Sequence, residues 1–261
     1  MTALFLLPLA FMVIGSLRAP GLPPDRSFDL VPGSVGLDSY ERAYDLVRLG
    51  RFTLNSLVVA VLVVPLSVLV ASLAGFGLVL VSRRSRTLFL AAAVLALMIP
   101  ATALLVPRFA IFSALSLTDT WAPLVAPALI GMSPLYVLLY AWSFWRIPPE
   151  LYDACRLQHL SPFRVWRQVA MPLVKPTTIA VGVLAFITSW GNFLDPLVYL
   201  YSPNLYTLPL GLRALAELDR TDFPVLMAGS VVATVPVIVA FLLVQRWLLD
   251  DREGRSSWLG N

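Results

Sequence analysis

The reactive side chains of this sequence are concentrated in one polar segment, residues 147–176, which lies between two long apolar stretches. The segment contains the only cysteine, Cys155, and the only histidine, His159, together with the carboxylates Glu150 and Asp153. One cysteine can form neither an internal disulfide nor a thiolate cluster, and one histidine cannot supply a multi-histidine metal site. Because His159 lies in an expected turn, a Ser-His-Asp triad is not plausible either.

Nucleotide chemistry is excluded on similar grounds, because the sequence contains neither a GxxxxGK[ST] phosphate loop nor a GxGxxG turn. The net charge of +4 is not arranged as a basic stripe interleaved with aromatic residues, so we expect no nucleic-acid partner. We therefore predict that the chain is no enzyme and binds no metal or cofactor of its own. A polar folded segment in so apolar a chain is best explained as a surface that another protein contacts.

Composition places the elements around this segment in a lipid bilayer. Hydrophobic residues make up 59% of the 261 and charged residues 13%, whereas soluble domains contain about 25% charged residues. A spanning helix needs ~20 mostly apolar residues. We predict one all-α integral membrane domain over residues 1–261, with about six transmembrane helices at residues 2–17, 54–81, 87–105, 122–143, 177–197 and 225–249. The first is the weakest, because only 17 residues precede Arg18. It could be interpreted as the core of a signal peptide, but it lacks the basic leader of one, so we favour a true first helix.

Loop charges predict the orientation of these helices. The loops at residues 82–86, 143–176 and 246–261 contain eleven arginine and lysine residues, against eight in the longer loops on the opposite side. Cytoplasmic loops carry the excess of basic residues. We therefore expect the polar segment and the carboxyl terminus to face the cytoplasm.

The polar segment has the pattern of two short helices. Pro148 and Pro149 suit a first helical turn, and Glu150 and Asp153 place negative charge at the positive end of the helix dipole. One face of this first helix, with small side chains at its centre, comprises Leu151, Ala154, Cys155 and Gln158. Such a face lets another surface approach the backbone closely.

The bend is expected at residues 158–160, and Ser161 followed by Pro162 is a good start for the second helix. The apolar face of this second helix comprises Phe163, Val165, Trp166, Val169 and Ala170. Periodicity alone leaves two readings open. The segment is either a docking element for a partner, or a helical hairpin lying in the lipid headgroup zone with Phe163 and Trp166 as anchors.

Three further features bear on the spans. Prolines at positions 65, 100, 127, 134 and 236 predict kinks, either for packing or around a cavity that opens and closes. A run of small residues, Ala71, Ala74, Gly75 and Gly77, allows close helix approach inside the chain or at a subunit interface. Residues 39–49 predict a short amphipathic helix on the membrane surface with Tyr40, Ala43, Tyr44 and Val47 on one face.

The sequence of the polar segment resembles a known loop. Ile-Pro-Pro-Glu-Leu-Tyr-Asp-Ala-Cys-Arg-Leu-Gln-His-Leu-Ser at 147–161, followed by Met-Pro-Leu-Val-Lys-Pro at 171–176, is similar to the EAA loop of ABC importer permeases, closest to the maltose-type carbohydrate-uptake branch. Supporting motifs extend from about residue 4 to 249: Asn55-Ser56, Ala74-Gly75-Phe76, Met98-Ile99-Pro100, Val106-Pro107, 190–197, 206–212 and Gln245-Arg246-Trp247.

The resemblance implies the type I importer permease fold and a bacterial inner-membrane location. It implies pairing with a second permease subunit, docking of the loop on a cytoplasmic ABC ATPase dimer that binds ATP and Mg, and delivery of a sugar by an extracytoplasmic binding protein. The residues implied to contact the ATPase are Glu150, Leu151, Asp153, Ala154, Cys155, Gln158, His159, Ser161 and Phe163.

The loop departs from the family pattern at its bend, where Gln158-His159 replaces the usual Asp-Gly. Glycine serves there because the bend favours a positive φ, which histidine tolerates at some cost. Cys155 replaces the second alanine of the motif, Tyr152-Asp153 replaces a glutamate pair, and the tail at residues 250–261 has lost the usual Gly-rich basic pattern.

Polar residues near the outer end of the fifth span are candidates for the substrate path, because intramembrane polar side chains are often functional. The polar candidates are Asn192 and Asp195, and the aromatic residues Trp190 and Phe193 beside them complete the candidate set. Sugars are commonly held by aromatic faces and by amide or carboxylate hydrogen bonds, but Asn192 and Asp195 are equally suited to capping the helix exit. A permease for a non-sugar solute and a stand-alone secondary carrier stay open as alternatives, although a carrier would need paired intramembrane charges.

Overall fold

The structure is a computed structural model that describes residues 2–23, 35–130 and 133–256. This part of the chain is helical, and its helices are α1 Thr2–Ser16, α2 Asp38–Val47, α3 Leu49–Leu80, α4 Arg83–Met98, α5 Leu105–Ala114, α6 Ala122–Leu129, α7 Pro134–Trp145, α8 Pro149–Leu157, α9 Pro162–Val165, α10 Met171–Leu173, α11 Lys175–Trp190, α12 Leu194–Tyr199, α13 Leu208–Leu218 and α14 Phe223–Ser256. Short 3₁₀ turns lie at Ala101–Leu104 and Pro203–Leu205. Much of the proline-rich segment after the first span, the last five tail residues and the start of the chain at Met1 lie outside the described residues.

Three stretches are long and apolar enough to cross a membrane: Leu49–Leu80, Ala122–Trp145 and Phe223–Gln245. Two bent pairs, Arg83–Met98 with Ala101–Ala114 and Pro162–Leu173 with Lys175–Trp190, raise the number to five if each pair is one span. The apolar helix Leu6–Ser16 is shorter than a span. These helices confirm an all-α membrane protein, while the count of six stays a prediction.

Two predicted spans end earlier than the hydropathy pattern indicated. The span expected at 87–105 stops at Met98, and the chain turns by 91° before the helix that follows. Ile99 precedes Pro100 and is extended (ψ 117), because a residue before proline is disfavoured in the helical region. The span expected at 177–197 ends at Trp190, and α12 starts as a separate helix.

The prolines have unequal effects. Pro65 and Pro236 lie inside the continuous helices α3 and α14 and do not break them. Pro100 follows the sharp turn after α4, and Pro134 is the first residue of α7. A first helical position needs no N–H donor, so proline there costs nothing.

The chain divides into two compact units, which are described separately. One comprises residues 59–189 together with 246–261, and the other residues 1–58 together with 190–245. We call them the loop unit and the terminal unit. The core of the loop unit joins α3, α7, α11 and the polar segment through large buried side chains, among them Tyr140, Phe144 and Trp166.

Gly75 explains how two core helices of the loop unit come so close. A Cβ at Gly75 would lie 2.7 Å from Tyr140 Cβ, 2.9 Å from the backbone nitrogen of Ala141 and 3.1 Å from the carbonyl oxygen of Val137. A Cβ at Gly77, by contrast, would have no atom of a neighbouring residue within 4 Å. The small residue at Gly75 therefore serves packing inside the chain.

In the terminal unit, the buried face of α2 differs from the one predicted. Ser39, Ala43 and Val47 are buried, whereas Tyr44 is 44% exposed. Ser39 turns inward because its hydroxyl donates to the carbonyl of Arg18 at 2.7 Å, a bond that the apolar pattern could not indicate.

Asp222, 2% exposed, fastens the start of α14 in the terminal unit. Its Oδ1 accepts from the backbone N–H of Gly21 at 2.9 Å, and its Oδ2 lies 3.3 Å from Arg42 Nε. Arg42 is half exposed, and its Nε–H is not aligned for a hydrogen bond to Oδ2 of Asp222. Arg42 and Asp222 therefore form an ion pair without a hydrogen bond. Nearby, the hydroxyl of Thr221 and its N–H hold the pKa of Asp219 below its ordinary value.

Candidate functional site

The first helix of the polar segment, α8, is fixed to the core by one side. It begins at Pro149 as the sequence predicts, with Glu150 in its first turn. Tyr152 is half-buried and Cys155, three residues later, is 8% exposed, so these two residues form the inner face. Cys155 therefore packs inside the chain, whereas the resemblance placed it on the docking surface.

Tyr152 ties α8 to the end of α7. Its hydroxyl donates to the carbonyl oxygen of Phe144 at 3.1 Å, and its ring centroid lies 6.4 Å from that of Phe76. Burial raises the pKa of Tyr152 to about 12, with a smaller contribution from Cys155. The phenol is therefore neutral at physiological pH and stays a hydrogen-bond donor.

The bend after α8 has the geometry of a Schellman motif. His159 adopts a positive φ of 53°, its N–H donates to the carbonyl of Arg156 at 2.9 Å, and the N–H of Leu160 donates to the carbonyl of Cys155 at 3.1 Å. These two bonds close the helix end around a left-handed residue. The expectation of a positive φ at this bend is confirmed, with histidine in the place that glycine usually takes.

The second helix begins at Pro162 after Ser161, as predicted. Val165, Trp166 and Ala170 are buried, but Phe163 is 58% exposed, with its ring centroid 5.3 Å from that of Trp166. Phe163 therefore lies outside the apolar face to which periodicity assigned it. It is the largest exposed apolar side chain of the second helix.

A wider π-helical turn, Trp166–Ala170, follows and shifts the direction of the chain. Pro172 has no N–H for a regular helical bond, and the wider turn ends just before it. After Val174 the chain bends by 85° into α11, whose Thr177 hydroxyl lies 2.7 Å from that of Ser143. The polar segment is thus held at both ends by the same core.

The outer surface of the segment, which we call the loop face, is exposed at nearly every predicted docking residue: Glu150, Leu151, Asp153, Ala154, Gln158, His159, Ser161 and Phe163. Asp153 pairs with Arg156 at 3.1 Å, both largely in solvent, whereas Glu150 has no ion pair among residues 6–23, 35–130 and 133–245. The sequence reasoning missed Leu157, which is 82% exposed at the end of α8. A helical wheel centred on the buried Cys155 would have placed it outside.

The candidate substrate-path residues belong to the terminal unit and make mainly structural contacts there. Trp190 is 4% exposed, and its Nε1 donates to the carbonyl of Ala233 at 2.9 Å. Asn192 Nδ2 donates to Asp195 Oδ2 at 2.9 Å, and Asn192 Oδ1 accepts from the N–H of Asp195 at 3.3 Å. These bonds join the turn before α12 to the first turn of α12, whereas the alternative role that the sequence left open was a cap at the exit of the fifth span.

Phe193 is half-buried and lies beneath a cation, the Arg213 guanidinium, 6.0 Å from its ring centroid. Arg213 also donates to Glu217 at 2.8 Å, on the exposed side of α13. An aromatic face beside a charged pair suits a hydroxylated solute. The substrate-path role of Phe193 stays a prediction.

The structure explains two motifs that the sequence singled out separately. Asn55 Nδ2 donates to the carbonyls of Asn204 and Tyr206 at 2.9 Å each, and the N–H of Leu208 donates to Ser56 Oγ at 2.7 Å. The start of α3 thus holds the 206–212 segment in place. No pattern in the sequence indicated that these distant motifs pair with each other.

In the described part of the chain, no three or more His, Cys, Asp or Glu side chains are grouped so that they could hold a metal ion.

Comparison with known proteins gives a consistent assignment. The family model described as binding-protein-dependent transport system inner membrane component matches residues 51–249. The chain is 29% identical over 247 residues to the arabinooligosaccharides transport system permease protein AraQ of Halalkalibacterium halodurans, covering 93% of this chain and 87% of that protein. It is also 29% identical over 240 residues to the sulfoquinovosyl glycerol transport system permease protein SmoH of Agrobacterium fabrum, covering 92% and 84%.

A solved structure of a bacterial ABC transporter involved in the import of the acidic polysaccharide alginate superposes with a TM-score of 0.79. The match covers 94% of this chain and 91% of that one, at 19% sequence identity. At this identity the likeness shows the fold, which is that of an ABC importer permease.

Proposed function

The chain belongs to the family of binding-protein-dependent transport system inner membrane components, and from this premise we propose that it is the permease subunit of an ATP-driven importer for a sugar or sugar derivative. It pairs with a second permease, and ATP and Mg bind to a separate cytoplasmic ATPase dimer. An extracytoplasmic binding protein delivers the solute. Family membership disfavours the stand-alone carrier.

The substrate class follows from the named relatives, whose printed substrates are arabinooligosaccharides and sulfoquinovosyl glycerol. Both are sugars or sugar derivatives, which favours the sugar over a non-sugar solute. A ligand screen on the purified cognate binding protein tests this choice. Selective binding of a polyamine or another solute without a sugar moiety would contradict it.

The observation that supports ATPase docking is the loop face itself. Leu151, Leu157 and Phe163 are 41%, 82% and 58% exposed in a segment whose opposite side is anchored to the core. Exposed apolar side chains on a rigid base are typical of a protein contact. The Schellman bend and the Tyr152 bond make the segment stiff enough to transmit a movement of the partner to α7 and α11.

Coupling requires differential docking in the two transport states. Taking a two-state equilibrium from 1:99 to 99:1 needs about 5.5 kcal/mol of differential interaction. Burying one leucine contributes roughly 1.5–3 kcal/mol. Because the three apolar side chains of the loop face are 41%, 82% and 58% exposed, their docking contributes about 3–5 kcal/mol, and Glu150 against a basic partner group supplies the remainder in one ATPase state.

The test is to reconstitute the importer with charge and apolar variants of the loop face. We expect Glu150→Lys to weaken ATPase binding more than Asp153→Lys, because Asp153 is already neutralised by Arg156. We expect Leu157→Ala to weaken it about tenfold, through the lost burial of one leucine. Co-purification of the ATPase and transport-coupled hydrolysis are the measurements.

Glu217→Lys is the matched control, because Glu217 is exposed and paired with Arg213 much as Asp153 is with Arg156. This control should leave ATPase binding unchanged. If the ATPase stays bound and coupled in both Glu150→Lys and Leu157→Ala, the docking surface is assigned wrongly, and the lipid-lying hairpin becomes the better reading.

The substrate-path residues are tested separately, because their hydrogen bonds give them a structural role whatever the solute. Phe193→Leu keeps the volume of the side chain but removes the aromatic face. We expect it to lower transport of a sugar while leaving ATPase binding intact. Unchanged uptake would mean that the second permease makes the sugar contacts.

A further inference from the structure

Three arginines, Arg83, Arg84 and Arg86, lie in the first turn of α4, and Arg146 directly follows α7, whose Trp145 ring centroid lies 5.2 Å from the Arg86 guanidinium. These four arginines belong to the loop unit. We call them the arginine cluster. Ser82 begins α4 by accepting from the N–H of Ser85 at 3.3 Å, and the first turn of α4 contains no acidic residue. Three cations therefore occupy the positive end of a helix dipole, where a negative charge is favoured. This arrangement calls for an anion.

Two members of the cluster are stacked on tryptophans of α7. The Arg86 guanidinium lies 5.2 Å from the Trp145 ring centroid, and its Nε donates to the carbonyl oxygen of Leu78 at 3.1 Å. The Arg146 guanidinium lies 4.1 Å from the centroid of Trp142. Stacking fixes the planar groups and leaves the edge N–H groups of Arg146, which is exposed, available to an acceptor.

Among residues 6–23, 35–130 and 133–245, none of the four arginines lies within ion-pair distance of a carboxylate, whereas Arg156 and Arg213 each have one. The second observation is the surroundings. Trp142, Leu88 and Phe89 are 55%, 71% and 57% exposed. Trp142 lies in the apolar stretch Ala122–Trp145, which is long enough to span a bilayer, whereas α4 with Leu88 and Phe89 is long enough only together with the helix after its 91° bend. Tryptophan and arginine at the end of a span are typical of the headgroup level.

We propose that the arginine cluster is a binding site for the phosphate of an anionic phospholipid, with the acyl chains along the exposed apolar side of α4. A phosphate accepts paired hydrogen bonds from guanidinium groups and offsets the unfavourable charge at the start of α4. Loop charges place this end in the cytoplasmic leaflet, where anionic headgroups attract basic residues near the membrane surface. The proposal does not depend on the transported solute.

The experiment reconstitutes the complete importer in phosphatidylcholine nanodiscs with an increasing fraction of phosphatidylglycerol and measures the retained lipid by native mass spectrometry. The test variants are Arg83→Gln with Arg84→Gln, and Arg146→Gln alone. Each basic residue near an anionic surface contributes about fivefold in partitioning. We expect retention of phosphatidylglycerol relative to phosphatidylcholine to fall roughly fivefold for each arginine removed.

Arg220→Gln is the matched control, since Arg220 is exposed and belongs to the loops counted on the opposite side. It removes the same charge and should leave lipid retention unchanged. Arg86→Gln is avoided as the first variant, because Arg86 also bonds Leu78 and its loss would affect folding. Arg146→Lys, which keeps the charge but loses the planar group, should restore only part of the retention.

Three results would overturn the proposal. Equal retention of phosphatidylglycerol in the parent and in both test variants would show that the cluster holds no lipid. Displacement of the lipid by inorganic phosphate would show a site for the free anion. Loss of the ATPase with unchanged lipid retention would show that the arginines contact protein carboxylates. A failure of ATPase docking at the loop face, by contrast, would leave the lipid result unaffected.

Discussion

Two glycines in one helix offer a sharp test of the packing inside the loop unit. Gly75 and Gly77 are two residues apart on α3 and face different surroundings. An alanine at Gly75 would place its Cβ 2.9 Å from the backbone nitrogen of Ala141, and backbone cannot move aside as a flexible side chain can. An alanine at Gly77 would meet nothing within 4 Å.

The two substitutions are expected to have opposite signs. Alanine is better than glycine in a helix by about 1 kcal/mol, and this gain applies to both positions. Overpacking a well-packed core costs about 1–3 kcal/mol, and this cost applies to Gly75 alone because α3 and α7 must separate. We therefore expect Gly75→Ala to destabilise the loop unit by up to about 2 kcal/mol and Gly77→Ala to stabilise it by about 1 kcal/mol.

The sole thiol provides the assay. Cys155 is 8% exposed and belongs to the same core as Tyr140 and Phe144, so a maleimide dye reaches it only when this core opens. A difference of about 1–3 kcal/mol between the variants corresponds to labelling rates that differ roughly 5- to 150-fold, with Gly75→Ala the faster. Labelling of Gly75→Ala at the parent rate would refute the close contact of α3 with α7.

Three further predictions concern single contacts. His159→Gly should slow labelling of the sole thiol through a gain of about 1 kcal/mol, because glycine adopts the φ of 53° without strain, and His159→Val should accelerate it. Tyr152→Phe should accelerate labelling about fivefold for one lost hydrogen bond of about 1 kcal/mol. Because burial raises the pKa of Tyr152 from 10.0 to about 12, this difference should be constant below pH 10 and shrink as the pH rises toward 12. Asp222→Ala should destabilise the terminal unit by about 1–3 kcal/mol, because the N–H of Gly21 and the guanidinium of Arg42 lose their partner. Asp222→Asn should cost less, because its amide oxygen still accepts from Gly21. Limited proteolysis of the terminal unit measures both effects, and equal protection in the two variants would contradict the assigned bonds.

Local patterns predicted the beginnings and the bend of the polar segment correctly. Pro149 and Pro162 start α8 and α9, and His159 adopts the positive φ expected of the position usually held by glycine. These features depend on proline geometry and on hydrogen bonds between residues close in sequence. Constraints of this local kind can be predicted from the sequence without knowledge of the tertiary structure.

The faces of these helices were predicted less well. Phe163 was expected on the apolar face and is exposed, and Cys155 was expected outside and is buried. The side of a short helix that turns inward depends on what it packs against, here the aromatic rings of Phe76 and Phe144 in distant helices. The π-helical turn after Val165 then shifts the register of the second helix, which a period of 3.6 residues cannot anticipate.

The sequence by itself determined the membrane class, the family and the position of the polar segment, because these depend on composition, on the length of apolar runs and on motifs read along the chain. Only the tertiary structure decided that Asn55 and Ser56 hold the 206–208 backbone, that Gly75 admits α7, and that Asn192 bonds Asp195 at the start of α12. Each of these features is a short-range contact between groups whose approach is set by the packing of whole helices, and for most of them the partners lie far apart in the sequence. Hydrogen bonds and steric exclusion act over a few ångströms, so they specify partners only after the fold has brought those partners together.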